Sequence, residues 1–459
     1  MDAKAYVQDL VNKGRVAQKI FEQFSQEKID RVCLALGKSI YDNAEILAKE
    51  AVEETGMGNV PSKIRKQQVV AMGHCDYILG KKSIGLIDDD KENKVLTYAK
   101  PIGVLACITP TTNPTSTIVG NGVYALKCAN AIIVCPHPRA KNVSKHGVTL
   151  FRAAIEAAGG PADLLQMIED PSVEKSQLLM QLCDANIATG GPGMVKAAYS
   201  SGRPSFGVGQ GNVQTIIDEG MQDVWDAYAV GTMTTRMTDY GVQCNSEQTI
   251  HVPAKEKDGI LAAFVKNGAM VVTDKAVIQK MRENLFTDKG TINPALVGKV
   301  PHELGKVLGL DVPPEVKVLI AESTGTADKD SLCKEKLCPV LACLPYDTFE
   351  QGLANVVANL NVEGKGHSSV VFSKNQDHID MAAKAIPVAR LAVNVANSVA
   401  SGNSNAIGFN PTISLACGTW GNNSLSENLT FEHLRNVTKA AYVMPGKPAF
   451  DPAKIWAGF

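Results

Sequence analysis

Cys244 stands near the middle of TTRMTDYGVQCNSEQTIHV, where small and polar residues run into an apolar, strand-like segment. Gly241 precedes it, and Ser246, Glu247 and Gln248 follow. A nucleophilic thiol needs such a setting, reachable by substrate and backed by a rigid element. Cys244 is one of eleven cysteines, and a free cysteine is more often a small buried hydrophobe. The segments that would position it must therefore decide.

Several other segments carry chemistry. In ITPTTNPTST, Asn113 lies beside Pro114 and after Pro110. The fixed proline backbone would hold its amide rigidly enough to donate to an oxyanion, although asparagine before proline also simply forms turns. ATGGPGMVKAA reads as strand, glycine turn (Gly190, Gly191) and helix, a place where free helix amides meet a phosphate, or else an ordinary strand-to-helix turn. SFGVGQGN places Gly207, Gly209 and Gly211 at alternate positions, clearing one face of an extended segment. EGKGHSS sets His367 in a glycine-bordered loop, as a proton-transfer group or a solvated side chain. Cys333, Cys338 and Cys343 recur every five residues, a spacing that does not favour a zinc site, and no metal is expected.

The elements that must hold these residues follow from patterning. The chain has 459 residues, 45% hydrophobic and 20% charged, enough for two or three domains with large cores. Lys plus Arg (46) balances Asp plus Glu (47), with no long basic block, so nucleic acid is not an expected partner. No stretch approaches a membrane span, the start does not read as a signal peptide, and the cysteines lack a disulfide-scaffold spacing, so a cytoplasmic enzyme is expected. Residues 5–56 read as helices, with Val16, Ile20 and Phe21 at helical spacing. KVLTYAKPIGVLACITP reads as a strand pair bent at Pro101–Gly103. Strands and helices then alternate on both sides of Cys244, predicting α/β lobes with parallel sheets flanked by helices.

Taken in order, ITPTTNPTST, CPHPRAK, GVGQGN, the Cys244 segment with NSEQ, KEKLCPV, GKGH and ACGTWGNNSLSEN resemble the aldehyde dehydrogenase superfamily, specifically its CoA-acylating branch. FSQEKID and YDNAEILAKEAVEETGMG are most similar to CoA-dependent succinate-semialdehyde dehydrogenases and their acylating sulfoacetaldehyde and acetaldehyde relatives. The resemblance implies a Rossmann-type cofactor domain (1–83 and 104–235), a catalytic cysteine domain (236–424) and a small oligomerisation flap (84–103 and 425–459), in a homodimer or a dimer of dimers. It implies Cys244 as the nucleophile, with Asn113 and the Cys244 N–H as oxyanion donors; one such donor is typically worth ~3 kcal/mol. Thr109, His137, Pro138, Arg139, Gly190, Gly191, Gly209 and Glu335 fall on its nicotinamide-binding positions, and His367 on a histidine that assists thiol transfer.

Two departures from the hydrolytic members bear on mechanism. They carry a water-activating glutamate at the start of ELGGKNP, where this chain has Gly207. The thiol of coenzyme A then becomes the expected acceptor. Ala140 replaces the acid beside the ribose 2′-hydroxyl, so NADP is expected as readily as NAD. Arg236, eight residues before Cys244 (244 − 236), either pairs with an anionic substrate tail, as in succinate semialdehyde or sulfoacetaldehyde, or makes a structural salt bridge. A hydrolytic dehydrogenase and a non-catalytic shell-associated protein are the rival readings.

Overall fold

The computed structural model describes residues 2–459. Four helices come first: Ala3–Phe21, Gln26–Asp42, Ala44–Thr55 and Val60–Ile78. Three open on side chains that accept from free first-turn amides, Asp2 from Ala5 N–H, Ser25 from Lys28 N–H and Asn59 from Ser62 N–H. Of the residues at helical spacing, Val16 and Ile20 are 64% and 51% exposed. The buried stripe of that helix runs instead through Val7, Val11, Ala17 and Phe21.

The first of these helices packs on a five-stranded sheet, and the others pack on the helices Pro114–Lys127 and Lys141–Ala157 that cover it. The strand order is Leu165–Met167, Ala131–Pro136, Val104–Thr109, Ala185–Thr189 and Ser205–Val208, all parallel. VLACIT and AIIVCP are buried at every position, which is why they read as unbroken apolar runs. Thr109, Pro136 and Thr189 end three adjacent strands, the edge at which parallel α/β sheets bind ligands. The second sheet has seven parallel strands: Ala269–Val272, Val318–Glu322, Val340–Tyr346, Glu247–Pro253, Val213–Ile217, Gly366–Phe372 and Val388–Val393.

The chain crosses from one sheet to the other between Val208 and Val213. The expected division at 235/236 is too late by 23 residues (236 − 213). Val213–Ile217 is a strand of the second sheet, and Tyr228, Ala229 and Met233 of helix Trp225–Met237 pack into its core. A fully buried strand carries no mark in its own sequence of which sheet it joins.

KVLTYAKPIGVLACITP does not fold back on itself. Val95–Pro101 pairs antiparallel with Gly85–Asp90 and with Arg435–Ala441, whereas Val104–Thr109 joins the five-stranded sheet. The halves part because one is partly exposed and the other wholly buried. The segments expected as a flap contribute to a separate three-stranded sheet, whose C-terminal strand starts at Arg435 rather than near 425. Leu429, Phe431 and Leu434 belong to the first lobe's core, with Phe431 against Tyr77 and Tyr124.

Candidate active site

The two lobes face each other across a cavity of about 780 Å³. Thr109, Asn113, His137, Pro138, Gly190 and Gly191 line it from the first lobe, Cys244 and Glu335 from the second, and Gly209 from the crossing between them. Nine of the twelve expected site residues therefore meet at one place.

Cys244 sits in the turn that leads into strand Glu247–Pro253, with Ser246 N–H donating to Gln243 O at 3.1 Å. It keeps intermediate exposure, while the other cysteines, Cys75 apart, are buried. The crossing segment packs directly on it: a Cβ on Gly211 would lie 1.9 Å from Cys244 O, so only glycine fits there. Burial, then the Glu335 carboxyl and the Cys417 thiol, push the Cys244 thiol up to about 12, while Arg390 and its own amide favour the thiolate. To act as a nucleophile, a thiol raised in this way would first have to lose its proton.

Asn113 precedes helix Pro114–Lys127 without capping it, and its Nδ2 donates to Thr112 Oγ1 at 3.3 Å, which leaves its second N–H for another partner. Its carbonyl accepts from Thr117 N–H (3.1 Å) and Thr117 Oγ1 (2.6 Å), which fixes its backbone, and its buried Oδ1 has no hydrogen-bond partner.

The wall expected to hold a nicotinamide cofactor fits that group. A Cβ on Gly191 or Gly209 would meet no atom of the chain within 4 Å, so intramolecular packing does not require glycine at either position. Glycine leaves bare backbone facing the cavity. Thr109 Oγ1 and Glu335 Oε1 are buried beside it without partners. His137 Nδ1 accepts from Arg139 N–H at 3.1 Å. Arg139 itself points elsewhere, Nη2 donating to Thr55 O at 3.2 Å, and it does not line the cavity. The expectation that no carboxylate stands near Ala140 needs correction: Glu54, from a neighbouring helix, accepts from Asn142 N–H (2.9 Å) and Val143 N–H (2.7 Å) at the start of helix Lys141–Ala157.

Glu335 has a neighbour that sequence reading passed over. Its N–H donates to the Glu363 carboxylate, and both side chains face the cavity. Burial and then Glu363 push Glu335 well above the usual carboxylate range; burial raises Glu363 too. Glu363 opens the EGKGH motif already singled out for its histidine, and that proximity was the available signal.

Arg236 is not an anion anchor. It is fully buried and does not line the cavity. Its Nε (2.7 Å) and Nη2 donate to Cys338 O, and its Nη1 donates to Ser246 Oγ (3.2 Å) and Glu247 O (3.3 Å). Nor does it make a salt bridge: it ties the segment after the nucleophile to the neighbouring strand through carbonyls.

His367 lies inside strand Gly366–Phe372 rather than in a loop, and it is fully buried. Its Nδ1 meets Ser368 Oγ at 2.7 Å, and Asn397 Nδ2 donates both to that hydroxyl (3.2 Å) and to Asn245 O (2.8 Å). His367 is therefore joined to the nucleophile's segment by hydrogen bonds and does not line the cavity. Burial and then Arg390 lower it to about 3, so its ring is neutral. Cys333, Cys338 and Cys343 are buried, and among the described residues no His, Cys, Asp and Glu cluster is arranged to hold a metal ion.

Comparison with known proteins agrees with this geometry. Residues 2–282 match the family model described as the aldehyde dehydrogenase family. The chain is similar to a succinate-semialdehyde dehydrogenase (acetylating) from Clostridium kluyveri, 45% identical over 99% of this chain and 100% of that one. It is 38% identical to a sulfoacetaldehyde dehydrogenase from an Acholeplasma species, over 96% of this chain and 91% of that one. Its fold is similar to the crystal structure of an acetylating aldehyde dehydrogenase from Geobacillus thermoglucosidasius, with TM-score 0.93 and 33% identity over 98% of each chain. The chain belongs to the aldehyde dehydrogenase family.

Proposed function

We propose that this protein is a CoA-acylating aldehyde dehydrogenase that oxidises a short aldehyde with an anionic tail to its acyl-CoA, using NAD or NADP. One observation carries the acyl-transfer half of the reading. At the position of the water-activating glutamate of hydrolytic relatives, a Cβ on Gly207 would lie 2.6 Å from Tyr199 Oη and 2.9 Å from Val195 Cγ1. Tyr199 Oη is engaged there, accepting from Gly207 N–H at 2.8 Å. The site of that base is filled, not merely vacant.

The residues then divide the work. Cys244 Sγ attacks the aldehyde carbon once its proton has left. Asn113 Nδ2 and the Cys244 N–H donate to the oxyanion that forms, in a cavity where such donors act strongly. A bound nicotinamide supplies the hydride acceptor; Thr109, the Gly190–Gly191 turn, His137, Pro138, Gly209 and Glu335 would hold it. The thioester left on Cys244 persists because water lacks a base, and the thiol of coenzyme A displaces Cys244 from it. His367 supports that transfer from behind the cavity wall.

The anionic tail rests on the relatives, whose names, succinate semialdehyde and sulfoacetaldehyde, denote aldehydes bearing an anionic group. Eleven free cysteines suit a reducing cytoplasm, and the three-stranded flap suits a homodimer or a dimer of dimers. The test is a panel of succinate semialdehyde, sulfoacetaldehyde and propionaldehyde, run with each nicotinamide, with and without CoA. Sustained NAD(P)H formation only with CoA, with higher kcat/KM for the anionic aldehydes, is expected. Free acid produced at a comparable rate without CoA would overturn the acylating reading, and a preference for propionaldehyde would overturn the anionic tail.

A further inference from the structure

We infer that Asp239, together with Lys63 and Lys66, is a positioning residue: it forms the joint between the lobes that sets the Asn113 amide against Cys244. The inference rests on the reading of Asn113 as oxyanion donor. Lys63 and Lys66 lie three residues apart on one face of helix Val60–Ile78, in the first lobe. Asp239 lies five residues before Cys244 (244 − 239), in the second. Asp239 Oδ2 takes Lys63 Nζ at 2.8 Å and Lys66 Nζ at 2.7 Å. Its Oδ1 accepts from Asn59 N–H at 3.0 Å. Both ammonium groups also reach the carbonyl of Thr112, at 3.4 Å each, and Thr112 immediately precedes Asn113. The cluster therefore touches the loop carrying the oxyanion donor and belongs to the loop carrying the nucleophile.

Nothing about the arrangement suits mere stability. The side chains of Lys63, Lys66 and Asp239 are 3%, 9% and 0% exposed, and two cations share one carboxylate oxygen. Buried ion clusters stabilise little once desolvation is counted, and less when the charges do not balance. Burial, then Lys66, lowers Lys63 to about 8 in spite of Asp239. For Asp239 burial acts upward, and the two lysines outweigh it and hold the carboxyl below its usual range. The backbone is strained as well: Asp239 and Tyr240 are both left-handed, at φ 54° and 52°. Gly58 must be glycine for the carboxylate to fit, since a Cβ there would lie 1.8 Å from Asp239 Oδ1. Desolvated, unbalanced charge and left-handed backbone meet where two reacting groups from different lobes must keep one separation.

The test uses the full-length protein and the CoA-dependent reaction, with thermal melting to verify folding. Asp239→Asn keeps the shape and removes the charge; Lys66→Met removes one of the two cations and serves should Asp239→Asn not fold. Misplacing a reacting group by an ångström costs up to about a hundredfold, so Asp239→Asn is expected to lower kcat tenfold or more, with KM nearly unchanged, and Lys66→Met to lower it less. In an Asn113→Ala background either substitution should have little further effect, because the donor being positioned is already gone. Unchanged kcat in a folded Asp239→Asn protein, or losses that multiply with Asn113→Ala, would overturn the inference. An Asn113→Ala protein with full kcat would instead overturn the oxyanion reading itself.

Discussion

In the proposed reaction Cys244 carries the chemistry, and its surroundings do not hand it over ready-charged. Burial and the neighbouring Glu335 and Cys417 raise the thiol to about 12, against the partial help of Arg390. A folded pKa above the working range means that the thiolate fraction, and hence the reaction with an alkylating agent, climbs about tenfold per pH unit until the pKa is reached. In the ligand-free protein, iodoacetamide labelling of Cys244, followed by peptide mass spectrometry, should therefore keep rising from pH 7 to pH 10. A plateau below pH 9 would show that the resting site stabilises the thiolate after all. At this scale residue types were legible in the sequence and partners were not. Cys244 and Asn113 could be singled out from residue type and neighbours, whereas Glu335 came from the family resemblance alone. Arg236 was misread because a guanidinium advertises a charged partner, whereas here it holds two carbonyls and a hydroxyl, which no side-chain pattern reveals.

In the proposed mechanism the fate of the thioester turns on the segment from Ser205–Val208 to Val213–Ile217. Its alternating glycines were legible as a sign of close approach, but each answers to something different. Gly207 faces Tyr199 and Val195, Gly209 faces open cavity, and Gly211 faces the Cys244 carbonyl. Restoring the hydrolytic glutamate is then not a simple reversal. Gly207→Glu alone must push Tyr199 aside and lose the bond from Gly207 N–H to Tyr199 Oη, an overpacking that typically costs about 1–3 kcal/mol. A lowered melting temperature with no CoA-independent turnover is expected from Gly207→Glu, and Tyr199→Ala added to it should recover much of the melting temperature. Should Gly207→Glu melt like the unmodified protein, Tyr199 does not occupy that space in solution. The helix that carries Tyr199, Pro192–Tyr199, was legible as a helix, but its reach to Gly207 was not, because the contact depends on how strand and helix pack.

At the scale of the whole molecule, two parallel-sheet lobes could be read from unbroken apolar runs, whereas the crossing point and the three-stranded flap depended on which strands pair. The flap also holds an unexplained surface. Leu86 and Tyr98 are cross-strand partners in the hairpin, so their side chains stand on the same face, and each is 37% exposed. Tyr442 and Val443, just beyond the strand beside them, are 62% and 85% exposed, whereas Val437 of that strand pairs with Ala99 and stands on the opposite face. In the proposed dimer a second copy covers this sheet. Tyr98→Glu would then place a charge in the apolar contact while leaving the hairpin's backbone bonds intact. One substitution is preferable to two, because glutamates at both 86 and 98 would face each other and weaken the hairpin itself. Light scattering on the size-exclusion peak at low micromolar concentration is expected to show the mass falling toward one chain, with the melting transition of each lobe retained. An unchanged mass would mean that this face of the flap does not join the subunits.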